Sequence, residues 1–183
     1  MKCLWILAQA VTVPTWDQVQ SDLREFASEY CPIQIDSAAY EKTGNPKAKY
    51  LEPIVEATSA LAEEVCDAAR CGAFPLVLGG DHSVALGSLA GMGAFAKKNK
   101  KKLGVLYVDA HGDFNTPETT PTGNIHGECL AASCGYGLPE LTNLYYEGTK
   151  VDPKNVCFVG CRDLDPGEKE VMRQAGVTVF TMS

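Results

Sequence analysis

The apolar positions of this 183-residue chain follow two spacings, which together predict alternating strands and helices. Short, wholly apolar runs predict buried strands at residues 3–7, 75–79, 104–108, 155–159 and 177–180. A spacing of three to four residues predicts helices at residues 16–30, 54–69, 83–96, 125–134 and 165–175. Short apolar strands separated by helices are typical of a parallel sheet with helices on both faces. The pattern predicts an α/β fold with three layers, α/β/α, in one domain spanning residues 1–183.

Turn and cap residues mark the ends of several of these elements. Gly72 stands where a C-cap belongs after the second helix. Asp165 and Glu168 have the spacing of a capping box at a helix start. The polar residues 36–49 predict a loop. The helix at residues 83–96 carries three glycines, which predicts that another element packs closely against it.

Composition and charge exclude several classes of protein. Hydrophobic residues make up 45% of the chain and charged residues 21%, which is ordinary globular usage. No stretch approaches the roughly 20 apolar residues of a membrane span, and the five-residue apolar run near the N-terminus is shorter than a signal sequence needs. A net charge of −7 disfavours nucleic acid as a partner, so the basic run at residues 97–102 is interpreted as a solvated helix end.

Eight cysteines are present, and their spacing contains no Cys-x-x-Cys pair. A chain of this length builds its own core and does not require disulfide bonds. Several of the cysteines lie inside apolar runs, where a thiol acts as a small hydrophobic group. The sequence therefore predicts reduced thiols and a cytoplasmic location.

Two of the three histidines lie just after the carboxyl ends of predicted strands, and the third lies on the loop that follows. His82 follows the strand at 75–79, His111 follows the strand at 104–108, and His126 lies on the loop after it. In parallel sheets, ligands bind beyond the carboxyl ends of the strands. Histidines satisfied by backbone carbonyls would explain each of these positions singly, but they explain all three together poorly.

Asp109, His111 and Asp113 are spaced two residues apart, so their side chains can converge on one point. Carboxylates combined with imidazole suit Mn²⁺, Zn²⁺ or non-haem iron. With His82 added, the set could hold half or more of a two-metal site that activates water. The sequence predicts a metal-dependent hydrolytic site.

Four ordered segments resemble the ureohydrolase family and, within it, the arginases. They are Gly-Gly-Asp-His-Ser at 79–83, Asp-Ala-His-Gly-Asp-Phe-Asn at 109–115, Gly-Asn-Ile-His-Gly at 123–127 and Gly-Cys-Arg-Asp-Leu-Asp-Pro-Gly-Glu at 160–168. The resemblance runs from about residue 75 to the end of the chain. It implies an α/β/α fold and two Mn²⁺ ions that hydrolyse L-arginine to L-ornithine and urea.

The resemblance also implies roles for individual residues. His82 and Asp113 would bind one Mn²⁺, His111 would bind the other, and Asp109 would bridge the two. His126 would shuttle a proton near the guanidinium group, which gives His126 and Asp113 catalytic roles.

The family pattern further implies a set of substrate contacts. The α-carboxylate of arginine would be bound by Asn115, Thr120, Thr122 and Asn124, and the α-ammonium group by Asp165, with His126 near the reacting end. Asn115 and Thr122 also suit a turn, and Asp165 also suits a helix cap. Arginases are often oligomers, so a homo-oligomer is a further expectation.

The chain departs from the family pattern after residue 168. Arginases have a later Asp-x-Asp that completes the metal site and a later Glu that holds the guanidinium group, and neither is found here. We therefore expect little activity from this chain alone. Agmatinase or another guanidino hydrolase is an alternative within the class, and a non-catalytic binding or regulatory relative is an alternative outside it. Arginase-fold deacetylases, with a different ligand pattern around one zinc, fit less well.

Overall fold

The computed structural model describes residues 2–8 and 29–182, which form an α/β fold. The strands are β1 (Lys2–Ala8), β2 (Glu29–Ile33), β3 (Gly44–Asn45), β4 (Ala48–Lys49), β5 (Ala73–Leu78), β6 (Val105–Val108), β7 (Val156–Cys161) and β8 (Thr178–Thr181). The α-helices are α1 (Leu51–Arg70), α2 (Val84–Lys98), α3 (Cys129–Ser133), α4 (Pro139–Thr142) and α5 (Pro166–Ala175). Short 3₁₀ helices cover Ser37–Tyr40, Ile125–Glu128 and Pro153–Asn155.

The parallel strands form two three-stranded sheets. Strand β1 lies between β2 and β5 in the first sheet, and β7 lies between β6 and β8 in the second. All four of these pairings are parallel, as the alternation of strands and helices predicts. Among the described strands, β5 and β6 do not pair with each other. In the part of the chain that the structure describes, β5 is therefore an edge of the first sheet and β6 an edge of the second.

Helices α1 and α2 pack directly against each other, and glycines make the contact possible. A Cβ atom on Gly87 would lie 2.5 Å from the carbonyl oxygen of Thr58, and one on Gly91 would lie 2.5 Å from that of Ala62. No side chain fits at such distances, which confirms the close packing predicted from the glycines of this helix. Because α2 leaves the end of β5, this packing fixes the turn that carries His82.

The core of the second sheet lies on one of its faces. Tyr107 and Phe158 point to this face, where they join buried side chains from α3 and α5. On the opposite face, Leu106 and Val108 are 69% and 71% exposed, and register places Val108 in one row with Val159 and Phe180. Among the described residues, no element packs on this side of β6, so only one covered face is observed for this strand.

Several boundaries differ from those predicted. Most of the helix predicted at 16–30 lies outside the described residues, but residues 29 and 30 belong to β2, where pairing with β1 overrides a helical spacing. The loop predicted at 36–49 contains a 3₁₀ helix and the antiparallel β3–β4 hairpin. Helix 125–134 is divided into a 3₁₀ helix and α3. The remaining predicted strands and helices are confirmed, with ends moved by one to a few residues.

The cap residues behave as the sequence predicts. Gly72 follows α1 with a left-handed φ of 73°, and Gly176 ends α5 with a φ of 80°. Asp165 and Glu168 form the capping box at the start of α5. Within the part of the chain that the structure describes, no helix is both long and apolar enough to cross a bilayer.

Candidate active site

Two strand ends build the centre of the site. His82 lies in the turn between β5 and α2, where Asp81 shapes the turn by accepting a hydrogen bond of 2.9 Å from the backbone N–H of Ser83. Asp109 and Asp113 follow β6. The side chains that follow the carboxyl ends of β5 and β6 therefore lie close together, although the two strands do not pair.

His82, Asp109 and Asp113 form one tight group. The Nδ1 atom of His82 lies 2.5 Å from Oδ2 of Asp113 and 3.1 Å from Oδ2 of Asp109. One ligand atom from each residue lies within 4.8 Å of the other two, which is close enough to coordinate a single ion. Asp113 is almost completely buried, and the other two side chains are partly exposed. The group is therefore open to a cation from one side and held by the protein on the other.

Tyr107 supports this group, and sequence reasoning missed it. Its hydroxyl group donates a 2.8 Å hydrogen bond to Oδ2 of Asp113, and its ring stacks on the imidazole of His82 at a centroid distance of 5.0 Å. Burial and the adjacent Asp113 raise the pKa of the Tyr107 hydroxyl far above its usual value, so it remains a donor. The available signal was a polar atom at the inward position of an otherwise aliphatic strand.

The backbone at Asp113 is held in an unusual conformation. Its φ of 49° is left-handed, which few residues other than glycine, asparagine and aspartate adopt. The backbone N–H groups of Leu130 and Ala131, at the start of α3, donate to the Asp113 carbonyl at 2.9 and 3.2 Å. The residue that precedes Asp113 is Gly112, where a Cβ atom would lie 2.6 Å from the carboxylate of Glu168. Strained backbone of this kind is typical of a functional site.

The other two histidines lie beside this group rather than in it. Nδ1 of His111 is 3.4 Å from Oδ1 of Asp109, so Asp109 faces His82 with one oxygen and His111 with the other. His111 is largely exposed. His126 lies in the 3₁₀ helix before α3, half exposed, with its Nδ1 4.0 Å from Oδ2 of Asp81.

A cavity of about 260 Å³ opens next to Asp113. It is lined by side chains from the loop after β6, the 3₁₀ helix and the start of α5, including the predicted positions His111, Asp113, Asn115, Thr120, Thr122, His126 and Asp165. Asn124, also predicted, is not among the lining residues; its backbone pairs with Lys49. The structure thus brings together all of the predicted substrate contacts except Asn124.

Hydrogen bonds inside the cavity connect its two walls. The Nδ2 group of Asn115 donates to Oδ2 of Asp165 at 2.9 Å, and Oδ1 of Asn115 accepts from the Thr119 hydroxyl at 2.9 Å. Glu168 adds a second connection, because its carboxylate accepts from the backbone N–H of Phe114 at 2.8 Å and of Asp165 at 3.2 Å. Glu168 was predicted only as a cap residue, yet it is buried and joins α5 to the loop that follows Asp113.

The charges of the site favour a bound cation. The hydrogen bond to Asp113 is the main cause that raises the pKa of His82, and the charges of Asp113, Asp109 and Asp81 act in the same direction. The negative charge of these carboxylates, which favours protonation of His82, also attracts a metal ion. The set of two carboxylates and one imidazole suits Mn²⁺ among other divalent ions.

Glu128 is a buried carboxylate beside the site. It ends the 3₁₀ helix that carries His126 and is only 1% exposed. Neither of its oxygens has a hydrogen-bond partner among the described residues. Burial, followed by repulsion from Glu118, raises the pKa of this carboxyl to about 7. A carboxyl raised in this way stabilises the fold below its unfolded pKa, and that contribution is lost as the pH rises through about 7.

The Glu128→Gln variant should therefore gain stability only at high pH. Relative to the original chain, we expect its free energy of unfolding to rise by about 2–3 kcal/mol between about pH 5 and about pH 8, because the variant has no charge to bury. Urea denaturation at the two pH values measures this difference. The exposed Glu140→Gln variant serves as the control and should show no such change. An equal response of both variants would contradict the assignment to Glu128.

Comparison with known proteins agrees with this fold and site. The sequence model described as the Arginase family matches residues 17–183. An arginase from Brevibacillus brevis is 54% identical over 134 residues, 73% of this chain and 44% of the relative. The arginase of Bacillus caldovelox is 47% identical over 139 residues, 76% of this chain and 45% of the relative. The chain thus spans less than half the length of these curated relatives.

Solved structures give the same result. The Bacillus caldovelox arginase superimposes with a TM-score of 0.85 at 36% identity, covering 100% of this chain and 65% of that one. The Entamoeba histolytica arginase, solved in complex with L-ornithine, gives a TM-score of 0.80 at 28% identity, covering 98% of this chain and 65% of that one.

Parallel strands that end in a carboxylate–imidazole group beside a polar cavity define an α/β protein with a candidate metal site. With its sequence and structural matches added, the chain belongs to the arginase family.

Proposed function

We propose that this chain carries part of the active site of a manganese-dependent hydrolase that converts L-arginine and water to L-ornithine and urea. The observation that carries the proposal is the convergence of His82, Asp109 and Asp113 next to a cavity lined by polar and acidic side chains. The reaction class is supported by the arginases that the chain resembles in sequence and structure.

The metal donors fit Mn²⁺. His82 and Asp113 would hold one ion, and the two oxygens of Asp109, which face His82 and His111, are suited to bridge it to a second. Bound Mn²⁺ supplies the Lewis acidity that makes water a nucleophile at neutral pH. Tyr107 orients the Asp113 carboxylate by donating a hydrogen bond to the same oxygen that faces His82.

The remaining residues position and protonate the substrate. Asp165 offers an acceptor for the α-ammonium group, and Asn115, Thr120 and Thr122 offer polar groups for the α-carboxylate. His126 lies on the same cavity and is exposed enough to exchange a proton with solvent, so its imidazole would deliver the proton that the leaving amine requires. Asn124 would act only through the loop that it shares with Thr122.

A cytoplasmic location forms part of the proposal. The described cysteines Cys66, Cys71, Cys129, Cys134, Cys157 and Cys161 are free thiols, which is typical of proteins in a reducing compartment.

A comparison of L-arginine binding with agmatine binding tests whether arginine is the substrate, because agmatine lacks the α-carboxylate. In Mn²⁺-loaded protein, Asn115→Ala should weaken L-arginine binding by about 1–3 kcal/mol and leave agmatine binding nearly unchanged, because only arginine loses a partner. Isothermal titration calorimetry measures both. Asn99→Ala, a matched change on an exposed asparagine outside the cavity, should affect neither ligand. Equal losses for the two ligands would favour agmatinase or another guanidino hydrolase.

A further inference from the structure

A second cavity lies away from the candidate active site. It has a volume of about 320 Å³ and lies between the end of α2 and residues 146–152, and none of its lining residues lines the active-site cavity. Four lysines line it: Lys97, Lys101, Lys102 and Lys150. Lys97 belongs to the last turn of α2, and Lys101 and Lys102 lie within four residues of its end, in the basic run at residues 97–102.

Two of these lysines are held together around one aromatic ring. The Nζ atom of Lys150 lies 3.8 Å from the ring centroid of Tyr146, and that of Lys97 lies 4.9 Å from the same centroid. Lys150 is buried and donates to the backbone carbonyls of Tyr146 and Gly148. The Nζ atom of Lys150 is thereby fixed in place, with the charge of Lys97 nearby.

No ion pair between described residues neutralises the positive charge at this cavity. Among the described residues, none of the four lysines has a carboxylate oxygen within salt-bridge distance. Burial lowers the pKa of Lys150 to about 8, and the charge of Lys97 adds to the shift. Two carboxylates, Glu147 and Asp152, also line the cavity, against four ammonium groups. An anion placed here would relieve the repulsion between the lysines.

We propose that this cavity binds the phosphate group of a small phosphorylated molecule. A phosphate group carries close to two negative charges and three acceptor oxygens, so it can contact several ammonium groups at once, whereas a single carboxylate offers one charge and two oxygens. The volume is at the lower end of the range of small-molecule sites, which suits a compact ligand rather than a large cofactor.

Features of the site oppose a polynucleotide as the occupant. The net charge of the chain is −7, so the long-range field repels a phosphate backbone. Tyr146 is the only aromatic residue that lines this cavity in the described structure, and its ring is already in contact with Lys150. Stacking of successive bases would need free aromatic faces.

Calorimetric titration of the 183-residue chain with inorganic phosphate and with phosphoserine tests the proposal. We expect one site per chain for both ligands at millimolar concentration, and a loss of about 10-fold in affinity in each of the variants Lys97→Gln and Lys102→Gln. The exposed Lys42→Gln and Lys169→Gln variants, which lie outside the cavity, remove the same charge and should bind as the original chain does. Circular dichroism checks that each variant is folded.

A second measurement does not depend on variants. Nuclear magnetic resonance titration of the Lys150 amine should show its pKa rise when phosphate is added, because a bound anion stabilises the charged form. The absence of binding at millimolar phosphate, an equal loss in the Lys42 and Lys169 controls, or binding of a single-stranded RNA without binding of phosphate would each overturn the proposal.

Discussion

Replacement of Asp113 by asparagine is expected to lower the affinity of this chain for Mn²⁺ by more than about 100-fold. This loss is larger than the loss caused by replacing residues that only hydrogen-bond to a metal ligand. The Asp113 carboxylate lies 2.5 Å from Nδ1 of His82 and is almost completely buried, so it cannot be replaced by water or by a neighbouring side chain. The asparagine side chain has no negative charge. Its NH₂ group donates hydrogen bonds and cannot coordinate a cation. Titration with Mn²⁺ against a competing chelator measures the affinity.

The control for this prediction is Asp163→Asn. Asp163 is exposed and lines the same cavity, but it is not part of the group formed by His82, Asp109 and Asp113. This variant removes the same charge from the same region and should change the affinity only slightly. If both variants lost affinity equally, the general negative field of the cavity, rather than coordination by Asp113, would hold the ion. A thermal melt of each metal-free variant separates loss of binding from loss of folding.

The 183-residue chain alone is expected to release urea at a rate at least about 100-fold below the typical enzyme turnover of about 10 s⁻¹. Three ligands gather around one point among the described residues, and the fourth candidate, His111, lies beside them and is largely exposed. The resemblance to arginases implies two further metal-binding carboxylates and a glutamate that holds the guanidinium group. Among the described residues, none other than His82, Asp109 and Asp113 joins the metal-ligand group, so we expect a second ion to bind weakly and the substrate to be poorly aligned.

A urea assay at saturating Mn²⁺ and L-arginine measures this rate, with the Bacillus caldovelox arginase assayed in parallel to validate the conditions. Elemental analysis of the same samples gives the number of Mn²⁺ ions per chain. Turnover near the typical value would show that residues of this chain other than those named complete the site, and it would contradict the argument from the number of ligands.

Hydrophobic spacing is sufficient to predict some elements of the fold, and others depend on tertiary contacts. Residues 104–108 and 155–159 are short apolar runs with clear limits, so hydrophobic spacing is sufficient to identify β6 and β7. In β2, Tyr30 continues the helical spacing of the preceding residues, and only pairing with β1 decides in favour of a strand. The division of helix 125–134 likewise depends on a distant contact, since the Asp113 carbonyl accepts from the N–H groups of Leu130 and Ala131 at the start of α3.

In the candidate site, too, some residues can be predicted from local sequence and others cannot. His82, Asp109 and Asp113 lie directly after strands, so the rule that ligands bind at strand ends predicts that they converge. Tyr107 and Glu168 were missed as parts of the site because their roles depend on tertiary contacts. Tyr107 contacts Asp113 only because β6 is oriented with this side chain inward, and Glu168 reaches Phe114 across 54 positions of the chain. Local patterns do not encode such contacts.

The face of β6 on which no described element packs also affects how the protein behaves in concentrated solution. Leu106, Val108 and Phe180 present an apolar surface next to a strand edge that pairs with no other described strand, an arrangement that attracts other copies of the same chain. The net charge of −7 opposes such contacts by repulsion between molecules. Salt weakens this repulsion, since the screening length is only about 10 Å at 0.1 M, while leaving the apolar attraction intact. We therefore expect association through this face to increase with ionic strength and to be weakest in dilute buffer.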